Sequence, residues 1–101
     1  MNSSTRNHLR KVAHSLSPIV MVGKNGINEK VTLALDEALA SHELVKVRFQ
    51  DYKDETKELA QQLCDSVKAS LVGTVGHVAI IFRQNTDPKD RIVHIPLATT
   101  D

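Results

Sequence analysis

The sequence predicts a small α/β domain in which helices and strands alternate. Segments with an apolar residue every three or four positions, typical of amphipathic helices, are followed by short runs rich in valine and isoleucine, typical of strands. This alternation favours a sheet covered by helices and joined by right-handed crossovers. The 101 residues, of which 41% are apolar and 25% charged, suit one globular domain with one modest core. We therefore expect a single domain over residues 1–101, and a monomer.

Helix 1 is predicted near the start of the chain, in STRNHLRKVAHSLSP. Ser3 or Ser4 can cap its first turn, and Pro18 ends it by disfavouring helical geometry at Ser17. Its apolar face consists of Leu9, Val12, Ala13 and Leu16. The next four residues, IVMV, predict a short strand 1 buried on both faces, because they are apolar, largely β-branched and too few for a helix.

A glycine loop, GKNG at residues 23–26, follows strand 1 directly. Asn28 suits the N-cap of helix 2, and Glu29 suits the positive end of its dipole. The apolar stripe of helix 2 consists of Val31, Ala34, Leu35, Ala38 and Leu39. Strand 2 is predicted in LVKVRF, where valine and phenylalanine alternate with Lys46 and Arg48. Part of one sheet face is therefore basic.

The second half of the chain predicts one helix and a β-hairpin, which gives the order α-β-α-β-α-β-β. Helix 3 begins near Asp54, and its inner face consists of Leu63, Cys64, Val67 and Leu71. SLVGTVGHVAIIFRQ fits one long strand or a hairpin. A turn at Gly76-His77 is favoured because a type II′ turn requires glycine at its first central position. DPKD predicts a turn, and RIVHIPL predicts a further short strand, at an edge because Pro96 cannot donate to a ladder.

Charge is distributed unevenly along the chain, although the net charge is only +1. Residues 1–48 carry seven Lys or Arg and four Asp or Glu, a net charge of +3. The remaining residues carry six Lys or Arg and eight Asp or Glu, a net charge of −2. No acidic residue precedes Glu29, so helix 1, strand 1 and the glycine loop are basic throughout. A polyanion would meet this end of the protein first.

Several classes of protein fit the sequence poorly. No window approaches the roughly 20 apolar residues of a membrane span, and the N-terminal MNSSTRNHLRK lacks the apolar segment of a secretion signal. Cys64, the single cysteine, excludes an intramolecular disulfide and suits a reducing compartment. We therefore expect a cytoplasmic protein without a membrane partner.

The GKNG loop has features of a phosphate-binding loop. Free amides at a helix N-terminus point outward, and glycines let a phosphate approach the backbone. Lys24 adds a positive charge, and Asn25 tolerates a left-handed turn position. Gly-x-x-Gly is common by chance: a second match, Gly73–Gly76, has apolar residues between its glycines, and we interpret it as strand and turn glycines. A purely structural turn is the alternative for residues 23–26, and neither a nucleotide P-loop nor a dinucleotide fingerprint fits.

Three blocks of sequence, taken together, point to a family. They are LRKVAHSLSPIVMVGKNGIN, ALASHELVKVRF and VGHVAIIFR, and they extend from about Leu9 to Arg83. In order and spacing they resemble the CRM domain, named for chloroplast RNA splicing and ribosome maturation, in its stand-alone bacterial YhbY form. The resemblance implies a two-layer α/β (α+β) fold with a mixed four-stranded sheet, like the C-terminal domain of translation initiation factor three. It also implies RNA binding through the Gly-x-x-Gly loop and association with precursors of the large ribosomal subunit.

The candidate RNA-binding residues combine the loop that the resemblance implies with a basic surface on helix 1, helix 2 and strand 2. They are Gly23, Lys24, Asn25, Gly26, Arg6, Arg10, Lys11, His14, Lys30, Lys46 and Arg48. The chain departs from the family at two positions, because Asn28 stands where serine or threonine is common and Phe82 where tyrosine is frequent. The tail beyond Arg83 matches poorly, and we assign it no role.

The few aromatic residues predict how RNA would be recognised. Phe49 and Phe82 alternate into the expected core, which leaves Tyr52 as the one exposed ring. A stacking platform of the kind used by readers of single-stranded sequence is therefore not predicted. Recognition should depend on phosphates and RNA shape, as in other Gly-x-x-Gly loops that clamp a backbone. A folded ribosomal RNA element fits this mode better than a short linear motif.

Other chemically capable residues predict neither a catalytic site nor a metal site. His14, His42, His77 and Cys64 lack the close spacing of a zinc pair, and Cys64 lies on an apolar stripe that suits the core. We expect no catalytic residue, no metal and no cofactor, with ribosomal RNA as the partner. Two alternatives stay open: an enzyme that holds a phosphorylated small molecule with the same loop, and an RNA-binding factor for intron splicing.

Overall fold

The computed structural model describes residues 1–95, which form three helices and one four-stranded sheet in the predicted order. The elements are α1 Ser3–Ala13, β1 Val20–Val22, α2 Glu29–His42, β2 Leu44–Phe49, α3 Thr56–Val67, β3 Ser70–Val75 and β4 Val78–Phe82. Single 3-10 turns occur at Lys53–Glu55, before α3, and at Pro88–Asp90.

The sheet is mixed, with the strand order β1-β2-β4-β3. β1 pairs in parallel with β2, whereas β4 lies antiparallel between β2 and β3. β1, β2 and β3 therefore run in the same direction, and their carboxyl ends lie at one end of the sheet. This confirms the expected α+β class and the mixed four-stranded sheet.

The two faces of the sheet are covered differently. α2 and α3 pack on the first face, where Leu35, Leu39 and Leu63 meet alternate residues of β2 such as Val47 and Phe49. α1 packs on the second face, where Leu9 and Ala13 bury Leu44, Val72, Ile80 and Phe82. Because α1 is short, it covers only part of the second face.

Short-range patterns in the sequence predicted most boundaries of the helices and strands. The Asn28 side chain caps α2 by accepting a hydrogen bond from the Val31 amide at 2.9 Å, as predicted. The hairpin turns at Gly76-His77 as predicted, with a φ of +58° at Gly76. Helix 3 begins two residues later than predicted, at Thr56, because the 3-10 turn takes up Lys53–Glu55.

The boundaries of α1 were predicted wrongly. Its N-cap is Asn2, which accepts the Thr5 amide at 2.8 Å, and not Ser3 or Ser4. The helix ends at Ala13, four residues before the predicted end. The Leu16 amide donates to the carbonyl of Ala13 at 2.9 Å, so the chain turns there to enter β1. Leu16 consequently lies outside the helix and is exposed.

Strand β1 was predicted to be buried on both faces, which is wrong. Val20 and Val22 are buried, but Met21 points away from the core and is exposed. The reason is topological, since β1 is an edge strand and α1 does not reach the second face at this edge. Two smaller corrections concern predicted helix positions: Ala34 is exposed, and Leu71 belongs to β3.

The predicted strand at 91–97 does not form in residues 91–95, and residues 96 and 97 lie outside the described part of the chain. Glu43 holds this segment instead. Its carboxylate is fully buried and accepts the backbone amides of Asn85 at 2.6 Å, Ile92 at 2.5 Å and Val93 at 2.8 Å. Because a side chain takes those amides, they are not available for a ladder.

Candidate nucleic-acid interface

The GKNG loop joins the end of β1 to the start of α2 as a tight turn. The Gly26 amide donates to the Gly23 carbonyl at 2.9 Å, and Lys24 and Asn25 between them are exposed. Lys30, in the first turn of α2, is also exposed. The first amides of a helix have no intrahelical acceptor, and the Asn28 side chain takes only one of them. The exposed loop thus presents backbone donors together with a lysine.

The two loop glycines differ in what the fold requires of them. Gly26 has a φ of +67°, in the left-handed region that L side chains rarely adopt. Gly23 has no positive φ, and a Cβ atom built on it would have no heavy atom within 4 Å. The turn therefore needs glycine at position 26, whereas at position 23 glycine leaves the backbone open on its solvent side.

Tyr52 supports the loop, a role that the sequence did not reveal. Its hydroxyl donates to the Lys24 carbonyl at 2.7 Å, and its ring would lie 3.5 Å from a Cβ atom on Gly26. Tyr52 itself has a φ of +58°, an uncommon conformation for a residue other than glycine. The prediction that the Tyr52 ring is exposed is correct. Its contact with the loop was not predicted, because the two are 28 residues apart in the chain and such a contact leaves no local pattern in the sequence.

Lys46 and Arg48 lie on the second face of the sheet, beyond the part that α1 covers. Cross-strand pairing places Arg48 between Met21 of β1 and Val78 of β4. Lys46 lies beside Ile80, and its Nζ donates to the Leu16 carbonyl at 3.0 Å. The predicted basic face is thus formed, at the centre of the sheet.

A groove of about 450 Å³ connects this basic strand to the C-terminal end of α1. It brings together four of the candidate residues, namely Arg10, His14, Lys46 and Arg48. Its remaining lining is Leu16, Ser17, Pro18, Val75, Val78 and Ile80, without a carboxylate. The groove therefore has a basic rim and an aliphatic floor.

Arg6 extends this basic surface toward β3. A neighbouring groove of about 320 Å³ is lined by Arg6, Arg10 and Lys57, the last of which was not predicted. The Arg10 guanidinium lies so close to Gly73 that a Cβ atom there would be 2.5 Å from it. Glycine at position 73 thus makes room for the arginine, a reason that the second Gly-x-x-Gly match did not suggest.

Besides Lys24 of the loop, two candidate cations lie outside both grooves. Lys11 is exposed on α1, turned away from the sheet that buries Leu9 and Ala13, and Lys30 accompanies the loop. Among residues 1–95 the one ion pair joins Arg83 to Asp36 at 2.6 Å. The candidate cations therefore have no carboxylate partner within the described residues.

The loop and the basic strand lie at the same end of the sheet. Gly23 follows Val22, the last residue of β1, and Val22 is next to Met21, the cross-strand partner of Arg48. At about 3.3 Å per residue, Gly23 is roughly 7 Å along the strand from Met21. One extended polyanion could thus contact both features.

Cys64 and His42, which were considered as reactive groups, line neither basic groove. Cys64 is buried between α3 and the sheet, and burial together with the nearby Asp65 raises the pKa of its thiol to about 12. His42 lies in the last turn of α2. In the described part of the chain, no group of three or more His, Cys, Asp or Glu could hold a metal ion. No helix among residues 1–95 is long and apolar enough to cross a membrane.

The chain is similar in sequence and in fold to known proteins. The chain is 34% identical over 90 residues to an RNA-binding protein of Haemophilus influenzae, and the aligned region covers 88% of this chain and 91% of the relative. It is 30% identical over 90 residues to "Probable RNA-binding protein YqeI" of Bacillus subtilis, with 88% and 94% covered. A solution structure of a candidate RNA-binding protein from Staphylococcus aureus superimposes with a TM-score of 0.75 and 33% identity, covering 93% of this chain and all of that one. The family model of the CRS1 / YhbY (CRM) domain matches residues 1–83, and the chain therefore belongs to this family.

Proposed function

We propose that this chain is a non-catalytic RNA-binding protein of the cytoplasm that associates with precursors of the large ribosomal subunit and assists their assembly. The observation that carries the RNA part is the exposed GKNG loop at the N-terminus of α2, beside a basic groove without carboxylates. The names of the relatives from Haemophilus influenzae and Bacillus subtilis support it. The ribosomal part depends on the resemblance to the stand-alone bacterial form of the family.

The loop would bind a phosphate of the RNA backbone. Free amides and the positive end of the α2 dipole favour an anion there, and Lys24 adds a mobile positive charge. The hydrogen bond from the Tyr52 hydroxyl to the Lys24 carbonyl restrains the loop in the free protein. Less conformational entropy is therefore lost when RNA binds. The phosphate approaches over Gly23, where no Cβ atom obstructs it.

The basic groove would bind further phosphates of the same RNA. Four to six phosphate contacts from Arg6, Arg10, Lys24, Lys46, Arg48 and their neighbours would make binding strongly dependent on salt. The logarithm of the affinity should fall against the logarithm of salt concentration with a slope of magnitude about 3 to 5, at about 0.7 to 0.9 per contact. Titration of an RNA duplex at several salt concentrations measures this slope, and a flat dependence would exclude phosphate-led binding.

Sedimentation tests the ribosomal part. A tagged copy of the protein is followed through a sucrose gradient of cell lysate at low salt. The expected result is migration with free or precursor large subunits, and not with translating ribosomes. A protein found only at the top of the gradient would contradict the ribosomal role, although it would leave RNA binding itself intact.

A further inference from the structure

The uncovered part of the second sheet face carries exposed apolar side chains beside the cations proposed to contact phosphate. We call this surface the platform, and define it by Met21, Arg48, Val78 and Val75, which form one row across all four strands, and by Lys46 in the next row. Its centre is basic and its margins are aliphatic. Ile19, just before β1, extends the apolar margin.

The platform exposes more apolar surface than a solvated sheet face requires. Val75 is 67% exposed, Ile19 54% and Met21 42%. Exposed apolar residues that are scattered singly need no explanation, but several on one uncovered face mark a binding site. The second face is buried where α1 covers it, so the exposed part begins where the helix ends.

We infer that the platform holds one unpaired nucleotide of the bound RNA, an inference that rests on the proposed function. In a paired helix the base faces are stacked on one another, so only an unpaired base offers an apolar face to an aliphatic floor. Arg10, Lys46 and Arg48 line the same groove as Val75 and Val78, and no carboxylate lines it, which favours a polyanion over a protein segment. A guanidinium such as that of Arg48 can also stack on a base.

The size and position of the site agree with one nucleotide beside a helix. The adjoining groove of about 450 Å³ lies within the range of roughly 300 to 1,000 Å³ that small ligands occupy. Met21 is two residues before Gly23, so a base on the platform places its neighbouring phosphates near the GKNG loop. The preferred RNA is therefore a duplex interrupted by an unpaired nucleotide.

Two RNA duplexes of the same sequence test this inference, one fully paired with blunt ends and one with a single bulged nucleotide. The wild-type protein should bind the bulged duplex about five- to tenfold more tightly, at the lower end of what stacking on an aromatic ring contributes, because the platform is aliphatic. The double variant Val75→Ser, Val78→Ser changes two neighbouring side chains that line the groove, keeps every cation and should lose most of this preference. The matched control Leu33→Ser removes a leucine that is 57% exposed on α2 and should keep the preference.

The outcomes separate this inference from the proposed function. Equal wild-type affinity for the two duplexes would overturn the nucleotide platform but not RNA binding, and would leave a protein partner as the occupant of the apolar surface. An undiminished preference in the double serine variant would also overturn the platform. Failure of the wild type to bind either duplex would overturn both proposals.

Discussion

At the level of single residues, Gly23 and Gly26 play different parts in the loop. Gly26 occupies a left-handed position beside the Tyr52 ring, whereas Gly23 has open space around it. If the loop only turned the chain, Gly26 would be needed for the fold and Gly23 would be needed for nothing. If the loop binds phosphate, Gly23 matters for binding although the fold does not need it.

Alanine at each glycine tests this difference. Gly26→Ala should lower the free energy of unfolding by about 1 to 2 kcal/mol, because it forces a Cβ atom into left-handed geometry. Gly23→Ala should change it by less than about 0.5 kcal/mol, as for most surface substitutions, yet weaken RNA binding severalfold. Urea unfolding and RNA titration of both variants measure the two effects. Normal RNA affinity in Gly23→Ala would remove the argument for backbone approach at this position.

At the scale of elements, α1 presents cations on two sides with different surroundings. Arg10 lines both basic grooves, whereas Lys11 lines neither and faces solvent. Both were predicted to belong to the basic surface of helix 1, although consecutive helical residues lie about 100° apart. The structure thus turns one candidate toward the sheet and the other away from it.

Charge reversal at these two positions should therefore give unequal effects. Arg10→Glu should weaken RNA binding much more than Lys11→Glu, and to all RNA sequences alike, since phosphate contacts carry no sequence information. Both variants change the net charge equally, so each is the control for the other. Equal losses of affinity would mean that the protein responds to overall charge and not to a defined groove.

The C-terminal segment is held to the domain by one buried carboxylate, that of Glu43. Burial by itself would raise its pKa, but the amides of Asn85, Val93 and Ile92, with the charge of Arg91, hold the pKa below its usual value of 4.5. A lowered folded-state pKa means that the stabilisation is complete at neutral pH and is lost as the pH falls below 4.5 and through the folded value.

Glu43→Gln should therefore lower the free energy of unfolding at pH 7 by about 1.5 to 3 kcal/mol, the usual size for hydrogen bonds to a charged group. The difference from the wild type should shrink as the pH falls from 5 to 3, because protonation removes the same charge from the wild type. Urea unfolding over this pH range measures it, with the exposed Glu37→Gln as control. A difference that stays constant with pH would contradict the role of the charge.

At the level of the whole molecule, the features that the sequence predicted correctly are those that depend on residues close together in the chain. The alternation in β2, the cap at Asn28 and the turn at Gly76 each depend on residues within a few positions, and each is confirmed. The support of the loop by Tyr52 and of the C-terminal segment by Glu43 joins residues 28 and 49 positions apart. Such contacts require the folded topology and leave no periodic signal.

The candidate site likewise has a part that the sequence predicted and a part that it did not. Composition and order pointed to the GKNG loop and to the basic face of β2, because glycines, lysines and alternation are visible in the letters. The groove between β2 and the end of α1 was not predictable, because it depends on α1 ending at Ala13 and leaving part of the second face uncovered. The aliphatic floor at Val75 and Val78 follows from that early helix end.

The double substitution Lys24→Asp, Asn25→Asp tests the claim that the GKNG loop binds RNA phosphate. Both glycines and the turn remain, so the free energy of unfolding should change by less than about 1 kcal/mol. Two carboxylates would themselves occupy the positive end of the α2 dipole and repel a phosphate, so RNA affinity should be lost. The measurement is RNA affinity beside thermal melting of the same protein. Wild-type affinity in a normally folded variant would contradict the claim and leave the loop as a turn alone.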